Sequence, residues 1–308
     1  MSLYFYIQRA LTHPQPQCIH YTMECSKMPG IAAMQVYVPR LYVEQADLER
    51  HDAQSDDHYA TRMKGKYTKG LGQNRMAIAT DAEDCISMAL TVTDMLLRNH
   101  GVDISRIGRV DVGSESNPDK SKSIKSHLMR LFSADTDGDR LGSRGVSIEG
   151  CDCVNACYGG MQAVFNALDW LHSPCSRGPR DHALVVASDI AVYPDGPARP
   201  TGGAGAVGLL LCRGGGAVLE GGQRGTYSCH AWDFFKPLPS YGYPVVDGQG
   251  SLSCYLHALL HSTRDLRHKG VSLSGLTSAC LHAPYSALVS KGLACLLTDI
   301  TAEAEAEA

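Results

Sequence analysis

Cys157 stands in VNACYGG (154–160), where a short apolar segment gives way to a helical pattern, so its sulfur is predicted at a helix N-terminus. There the macrodipole and unpaired N–H groups favour the thiolate, the form that attacks carbonyl carbon. The N–H groups that follow are placed to hold a developing oxyanion. Taken alone, a buried core cysteine is the plainer reading. Glu115, in VGSESNPDKSKS (112–123), lies just past a strand pattern. It acts as a base if burial in a cleft raises its pKa, and is a solvated loop acid otherwise. His282, in CLHAPY (280–285), follows an apolar run and precedes a helix start. A lone histidine is commonly structural, yet this is where α/β folds put their sites.

Other patterns fail on context. Gly203-Ala-Gly205-Ala-Val-Gly208 matches the dinucleotide pattern but runs into Leu209–Cys212, which reads as strand rather than the helix start a pyrophosphate needs. Glu220 follows Gly208 too soon to serve as the ribose acid. Cys151-x-Cys153 invites zinc, but no second pair stands at suitable spacing, so no metal is expected. The chain has twelve cysteines in 308 residues, several inside apolar runs, which argues for a reducing compartment rather than a disulfide framework. A net charge of −4 gives no global reason to bind nucleic acid or an anionic membrane. Residues 270–290 lack Asp, Glu, Lys and Arg, yet His282, Pro284 and many Ser/Thr disqualify them as a membrane span.

These residues need elements to hold them. Residues 31–38 read as a strand, 44–52 as a helix and 53–64 as a polar loop. Thr80 with Glu83 makes a capping box that opens a helix through about Asn99, with Ile86, Leu90, Thr93 and Leu97 as its packed stripe. Residues 107–112 alternate as a strand, and Ile124, Leu128 and Leu131 mark the next helix. Met161, Val164, Leu168 and Leu171 share one face of the helix after Cys157. Residues 183–188 and 204–212 read as buried strands, 251–262 as a helix, and 276–297 as a strand followed by a helix. Strands alternating with helices give an α/β layered fold.

A wider pattern binds these residues together. The segments GKYTKGLGQ (65–73), VGSES and DKSKS (112–123), NACYGG (155–160), VVASDIAVY (185–193), ARPTGGAGAV (198–207), HAWDFFKP (230–237), YPVVDG (243–248), SCYLHAL (253–259) and HAPYSALVSKGLACLL (282–297) follow one another in register. In this the chain closely resembles the hydroxymethylglutaryl-CoA synthases, members of the thiolase-like condensing enzymes. The resemblance implies a thiolase-like layered αβαβα fold with the N-terminal half complete and the second half truncated, usually as a homodimer. On that reading residues 1–28 are an extension, disordered or targeting. Residues 29–214 are the N-terminal half, 215–300 the start of the C-terminal half, and 301–308 a low-complexity tail.

The resemblance also implies a reaction. Acetyl-CoA and acetoacetyl-CoA condense with water to give 3-hydroxy-3-methylglutaryl-CoA and CoA, through an acetyl-cysteine at Cys157. It assigns Glu115 as general acid/base and His282 to the acetoacetyl-CoA carbonyl. Asp189 and Asp233 support the site, and Lys66, Thr201, Ser251 and Lys291 contact the CoA or acyl parts. No cofactor beyond the substrates is implied. The place implied is cytoplasmic, with mitochondrial as the alternative, in mevalonate, isoprenoid and sterol synthesis. Departures bear on this: Pro197 replaces an Asn, Ala287 replaces a Lys, and Met63 and Lys64 occupy ligand-lining positions in an altered loop. The competing expectation is a truncated non-catalytic remnant that binds CoA or a full-length subunit.

Overall fold

The computed structural model describes residues 28–54, 64–132, 146–220, 223–238, 241–273 and 276–307, with side chains through residue 301. The expectations for residues 1–27, for most of the 53–64 loop with Met63, and for the side chains of the 302–308 tail lie outside the described residues.

The strands are β1 (Pro29–Tyr37), β2 (Leu41–Glu44), β3 (Arg75–Ile78), β4 (Ile107–Gly113), β5 (Asp152–Cys153), β6 (His182–Ala191), β7 (Gly203–Arg213), β8 (Ala217–Val218), β9 (Phe234–Phe235) and β10 (Val245–Val246). The helices are α1 (Gln45–Ala53), α2 (Cys85–Asn99), α3 (Ile124–Leu128), α4 (Gly159–His172), α5 (Gly248–His268) and α6 (Ser286–Glu307). One six-stranded sheet runs in the order β5-β4-β6-β7-β1-β8. Strand β4 is parallel to β5 and β6, whereas β7 is antiparallel to both β6 and β1.

Alternation along the strands splits the core between two faces. Val110, Val112, Leu184, Val186 and Leu210 pack against Met88, Val92 and Leu96 of α2 and Ile124 and Leu128 of α3. Ala183, Val185 and Leu211 point the other way, onto Ala163, Leu168 and Leu171 of α4. Helices therefore cover both faces, giving an α/β/α sandwich. A third cluster joins α5 to α6 through Tyr255, Leu259, Leu266, Leu288 and Leu296. Arg267 and Asp299 bridge the same two helices at 2.7 Å. Among the described residues no helix is long and apolar enough to cross a membrane.

Two local readings need correction. Helix α2 begins at Cys85, capped by Asp84, whose carboxylate accepts from Ser87 N at 2.6 Å while Ser87 Oγ accepts from Asp84 N at 2.8 Å. Thr80 and Glu83 do pair, Thr80 N donating to Glu83 Oε2 at 2.9 Å, but in the turn before the helix, where Glu83 also accepts from the Tyr37 hydroxyl. The buried face accordingly centres on Met88, Ala89, Val92 and Leu96, with Ile86, Leu90 and Leu97 on its flanks. Residues 276–281 form no named strand; the chain there is irregular, with one bridge position at Cys280.

Candidate active site

The chemistry-bearing residues gather at the carboxyl ends of the parallel strands, where open α/β sheets leave a crevice. Strand β4 ends at Gly113, and Ser114, Glu115 and Ser116 follow at once. Asp189, near the end of the neighbouring β6, holds this turn. Its Oδ1 accepts from Ser114 Oγ (3.0 Å), Glu115 N (2.8 Å), Ser116 N (3.2 Å) and Ser116 Oγ (2.7 Å). These bonds fix where the Glu115 side chain starts. Burial nevertheless outweighs them and raises the Asp189 pKa.

Cys157 reaches the same place from β5. Tyr158 N donates to Asn155 O at 2.9 Å and Gly159 N to Ala156 O at 3.3 Å, closing a tight turn onto α4. Ala156 adopts φ 40°, the one non-glycine residue with positive φ among the described residues. That left-handed conformation costs an L-residue about 1–2 kcal/mol and persists only where the surroundings impose it. Two glycines make the approach possible. A Cβ on Gly113 would overlap the backbone of Gly159 and Gly160, and one on Gly159 would lie 2.5 Å from Cys153 O. Cys157 thus precedes the α4 N-cap residue Tyr158 and stays open to solvent, although protein crowds around its sulfur.

The charges around the sulfur overturn one expectation. The Cys157 pKa is pushed up to about 12, first by burial, then by the carboxylates of Glu115 and Asp189. Its own backbone N–H and Lys236 pull the other way and lose. A helix end carries only about half a unit charge, too little against two carboxylates and desolvation. The resting sulfur is a thiol. Glu115 has a raised pKa as well, from burial and then Asp189, with Lys236 opposing. Tyr193, beyond the end of β6, is pushed up to about 12 by burial and then by Cys157, against a hydrogen bond with Thr201.

The remaining predicted residues are held by other segments. Lys66 opens a π-helical turn (Lys66–Gly70) that Glu49 organises, its carboxylate accepting from Gly65 N at 2.5 Å, Tyr67 N at 2.8 Å and Thr68 N at 3.2 Å. Asp52 accepts from Tyr67 Oη at 2.8 Å and pairs with Arg199, two residues from Thr201. Asp233 is buried and accepts from Ser251 Oγ at 3.0 Å. His282 sits beside Tyr255, ring centroids 6.4 Å apart, and the Tyr255 hydroxyl donates to His282 O at 3.0 Å. Burial lowers the His282 pKa, so its imidazole is neutral at physiological pH. The loop after His282 is tied to the segment after Lys66: Ala287 N donates to Leu71 O at 3.0 Å and Ser286 N to Gln73 Oε1 at 3.2 Å. Lys291 lies exposed on α6.

The structure therefore brings Cys157, Glu115 and Asp189 into one electrostatic environment. It places His282, Asp233 and Ser251 in the neighbouring α5–α6 unit, whose Lys236 faces Cys157 and Glu115. Comparison with known proteins identifies the family. The family description "Hydroxymethylglutaryl-coenzyme A synthase N terminal" matches residues 25–215, and its C-terminal counterpart matches residues 217–308. The chain belongs to the hydroxymethylglutaryl-CoA synthase family.

Its relatives include "Hydroxymethylglutaryl-CoA synthase" of Schizosaccharomyces pombe, 46% identical over 284 residues, covering 89% of this chain and 59% of the relative. The cytoplasmic synthase of Homo sapiens is 43% identical over 280 residues, covering 87% and 50% respectively. The chain thus spans between half and three-fifths of the length of these relatives. A solved structure titled "MvaS in complex with 3-hydroxy-3-methylglutaryl coenzyme A" superposes with a TM-score of 0.75 at 33% identity, covering 88% of this chain and 63% of that one.

Two residues beside Cys157 escaped the sequence reading. Tyr193 ends the segment VVASDIAVY, and Lys236 lies in HAWDFFKP. Both stand inside matched text, but only their placement against Cys157 and Glu115 reveals what they face.

Proposed function

We propose that the chain carries out the condensing chemistry of hydroxymethylglutaryl-CoA synthases, with Cys157 as the acetyl-carrying nucleophile. The observation that carries this reading is that Cys157 lies in the field of Glu115, whose carboxylate raises the cost of ionising the sulfur. In the first step Sγ attacks the acetyl-CoA thioester carbon while its proton passes to a neighbouring base. The Sγ–C bond forms, the C–S bond to CoA breaks, and CoA leaves as the thiol, taking the proton back from that base. Glu115 then removes a methyl proton from the acetyl-cysteine. A thioester α-proton is poorly acidic, which suits a carboxylate made more basic by burial.

The enolate carbon attacks the ketone of acetoacetyl-CoA, and the alkoxide takes a proton. That proton comes from Glu115, which carries the one it took from the methyl group, while neutral His282 fits as an N–H hydrogen-bond donor to the carbonyl oxygen. Water hydrolyses the remaining thioester and restores Cys157. Asp189 fixes the Glu115 backbone, and Asp233 holds Ser251 at the start of α5. Lys66, Thr201, Ser251 and Lys291 are assigned to CoA and acyl contacts, the lysines meeting phosphate. The reading includes a homodimer and, from the relatives named cytoplasmic, a cytoplasmic place.

Incubation with labelled acetyl-CoA followed by peptide mapping tests it. Label on the Cys157 peptide, absent from Cys157→Ser, is the expected result. Binding of CoA with no adduct would leave the non-catalytic alternative standing and end this reading.

A further inference from the structure

On the edge of the same sheet, three ligand-type side chains converge that the reaction above does not use. A carboxylate oxygen of Asp111 and the sulfurs of Cys151 and Cys153 all lie within 4.8 Å of one another. Strand register produces the cluster. Strands β4 and β5 run parallel with Val112 opposite Asp152, and Val112 N donates to Cys151 O at 3.0 Å. Residues two apart on a strand share a face, so Cys151 and Cys153 point together and Asp152 points away. Asp152 accordingly serves the other face, accepting from Ile124 N at 2.6 Å and Lys125 N at 3.0 Å to start α3.

The geometry suits a cation better than a disulfide. Extended residues two apart have Cα atoms about 6.5 Å apart, near the far limit for an S–S bond. Two sulfurs at roughly 2.3 Å from one tetrahedral ion are separated by nearly 4 Å, which the same backbone offers without distortion. Charge points the same way. Asp111 is fully buried and paired with Arg109, Nε to Oδ2 at 2.5 Å and Nη2 to Oδ1 at 3.1 Å. Arg109 also lies 3.8 Å from Glu149, so one cation already faces two carboxylates. Ionising two thiols adds two negative charges, which a dication balances.

Two further contacts support a bound ion. Asn166 Nδ2 on α4 donates to Cys153 Sγ at 3.3 Å, the kind of N–H···S bond that steadies a metal-bound thiolate. Cys151 is exposed, which gives an entry path, while Cys153 is buried beneath α4.

We propose that Asp111, Cys151 and Cys153 form a binding site for a thiophilic divalent cation of the zinc class, with the fourth position open to solvent. Binding breaks two S–H bonds, releases two protons and forms two S–metal bonds; no electron moves. Cys153 O accepts from Ser114 N at 3.3 Å and abuts Gly159, so the ion pins the strand that leads to Cys157.

Cd2+ titration of the full chain under reducing conditions tests this, read by the thiolate-to-cadmium charge-transfer band and by proton release. The expected result is one equivalent bound with two protons released, weakened at least about tenfold in Cys151→Ser. Cys151 is exposed, so that variant keeps its fold, and Cys175→Ser at another exposed thiol should leave the titration unchanged. Equal affinity and stoichiometry in wild type and Cys151→Ser overturns the proposal, as does a wild-type chain that takes up no cadmium. Neither readout depends on acyl transfer.

Discussion

The resting thiol at Cys157 has a measurable signature. At pH 8 a thiol of ordinary pKa 9.0 is roughly 9% thiolate, whereas one pushed up to about 12 is roughly 0.01% thiolate. Thiolate supply alone therefore slows attack on a small neutral disulfide about 1,000-fold. The more basic sulfur is also the better nucleophile, by a Brønsted coefficient of about 0.45, which returns about 20-fold over three units. The net expectation is a reaction about 50-fold slower than that of an unperturbed cysteine peptide. The assay is dithiodipyridine modification, mapped to the Cys157 peptide by mass spectrometry between pH 7 and 10. The pH profile is the stricter measure, because restricted access scales every rate equally. The rate should climb about tenfold per unit throughout that range. A plateau reached below pH 9 would refute the account, since it would show the helix end prevailing over the carboxylates.

Other expectations follow from the same site. Glu115→Gln should raise thermal stability at pH 8, because burial and then Asp189 penalise the Glu115 carboxylate. The folded-state pKa of Glu115 lies above its ordinary 4.5, so its stabilising share is complete below that value and is lost as pH rises through the raised one; the gain should vanish near pH 4 in a melting series. Ala156→Val places a β-branched residue at φ 40° and should cost about 1–3 kcal/mol by urea unfolding, whereas Ala156→Gly should be near neutral. Glu49→Gln removes the charge that three backbone N–H groups share. It should cost about 1.5–3 kcal/mol and weaken CoA binding measured by calorimetry, because Lys66 rides on that turn. Lys236→Met removes the cation facing Cys157 and Glu115. The disulfide reaction at pH 10 should slow further, and unchanged rates would show that Lys236 does not act on the sulfur.

Cys157 and Glu115 each sit where a strand pattern breaks into glycine- or serine-rich text, but that local signal alone favoured the plainer readings, and the family resemblance singled them out. The buried strands 183–188 and 204–212 were legible as continuous apolar runs, and they lie in β6 and β7. Asp189 was named only as a supporting residue. That its carboxylate holds the backbone of Glu115 depends on a bond across 74 positions, which spacing does not carry. The helix expected from Thr80 failed differently: the capping-box residues do pair, but Asp84 and Ser87 form a second box that sets the actual start. Cys151 and Cys153 looked incomplete as ligands because the third donor stands on a neighbouring strand, at Asp111. Local chemistry was readable, whereas the partners supplied by strand order were not.

The site's electrostatics reconcile two demands that conflict. A free thiolate at neutral pH would react with any electrophile reaching the cleft, so a sulfur that waits as a thiol is protected. A thiol attacks a thioester slowly unless its proton has somewhere to go. On the proposed condensing chemistry Glu115 supplies that place, because burial and Asp189 make it a stronger base than a solvated carboxylate. As the sulfur is acylated, the departing CoA sulfur takes up the proton that Glu115 accepted, which returns Glu115 to its carboxylate. Glu115 then faces the acetyl group as a base strengthened by burial and Asp189, with Lys236 opposing. The carboxylate that took the thiol proton is thus free for the methyl proton, and one pair of groups serves both steps in order.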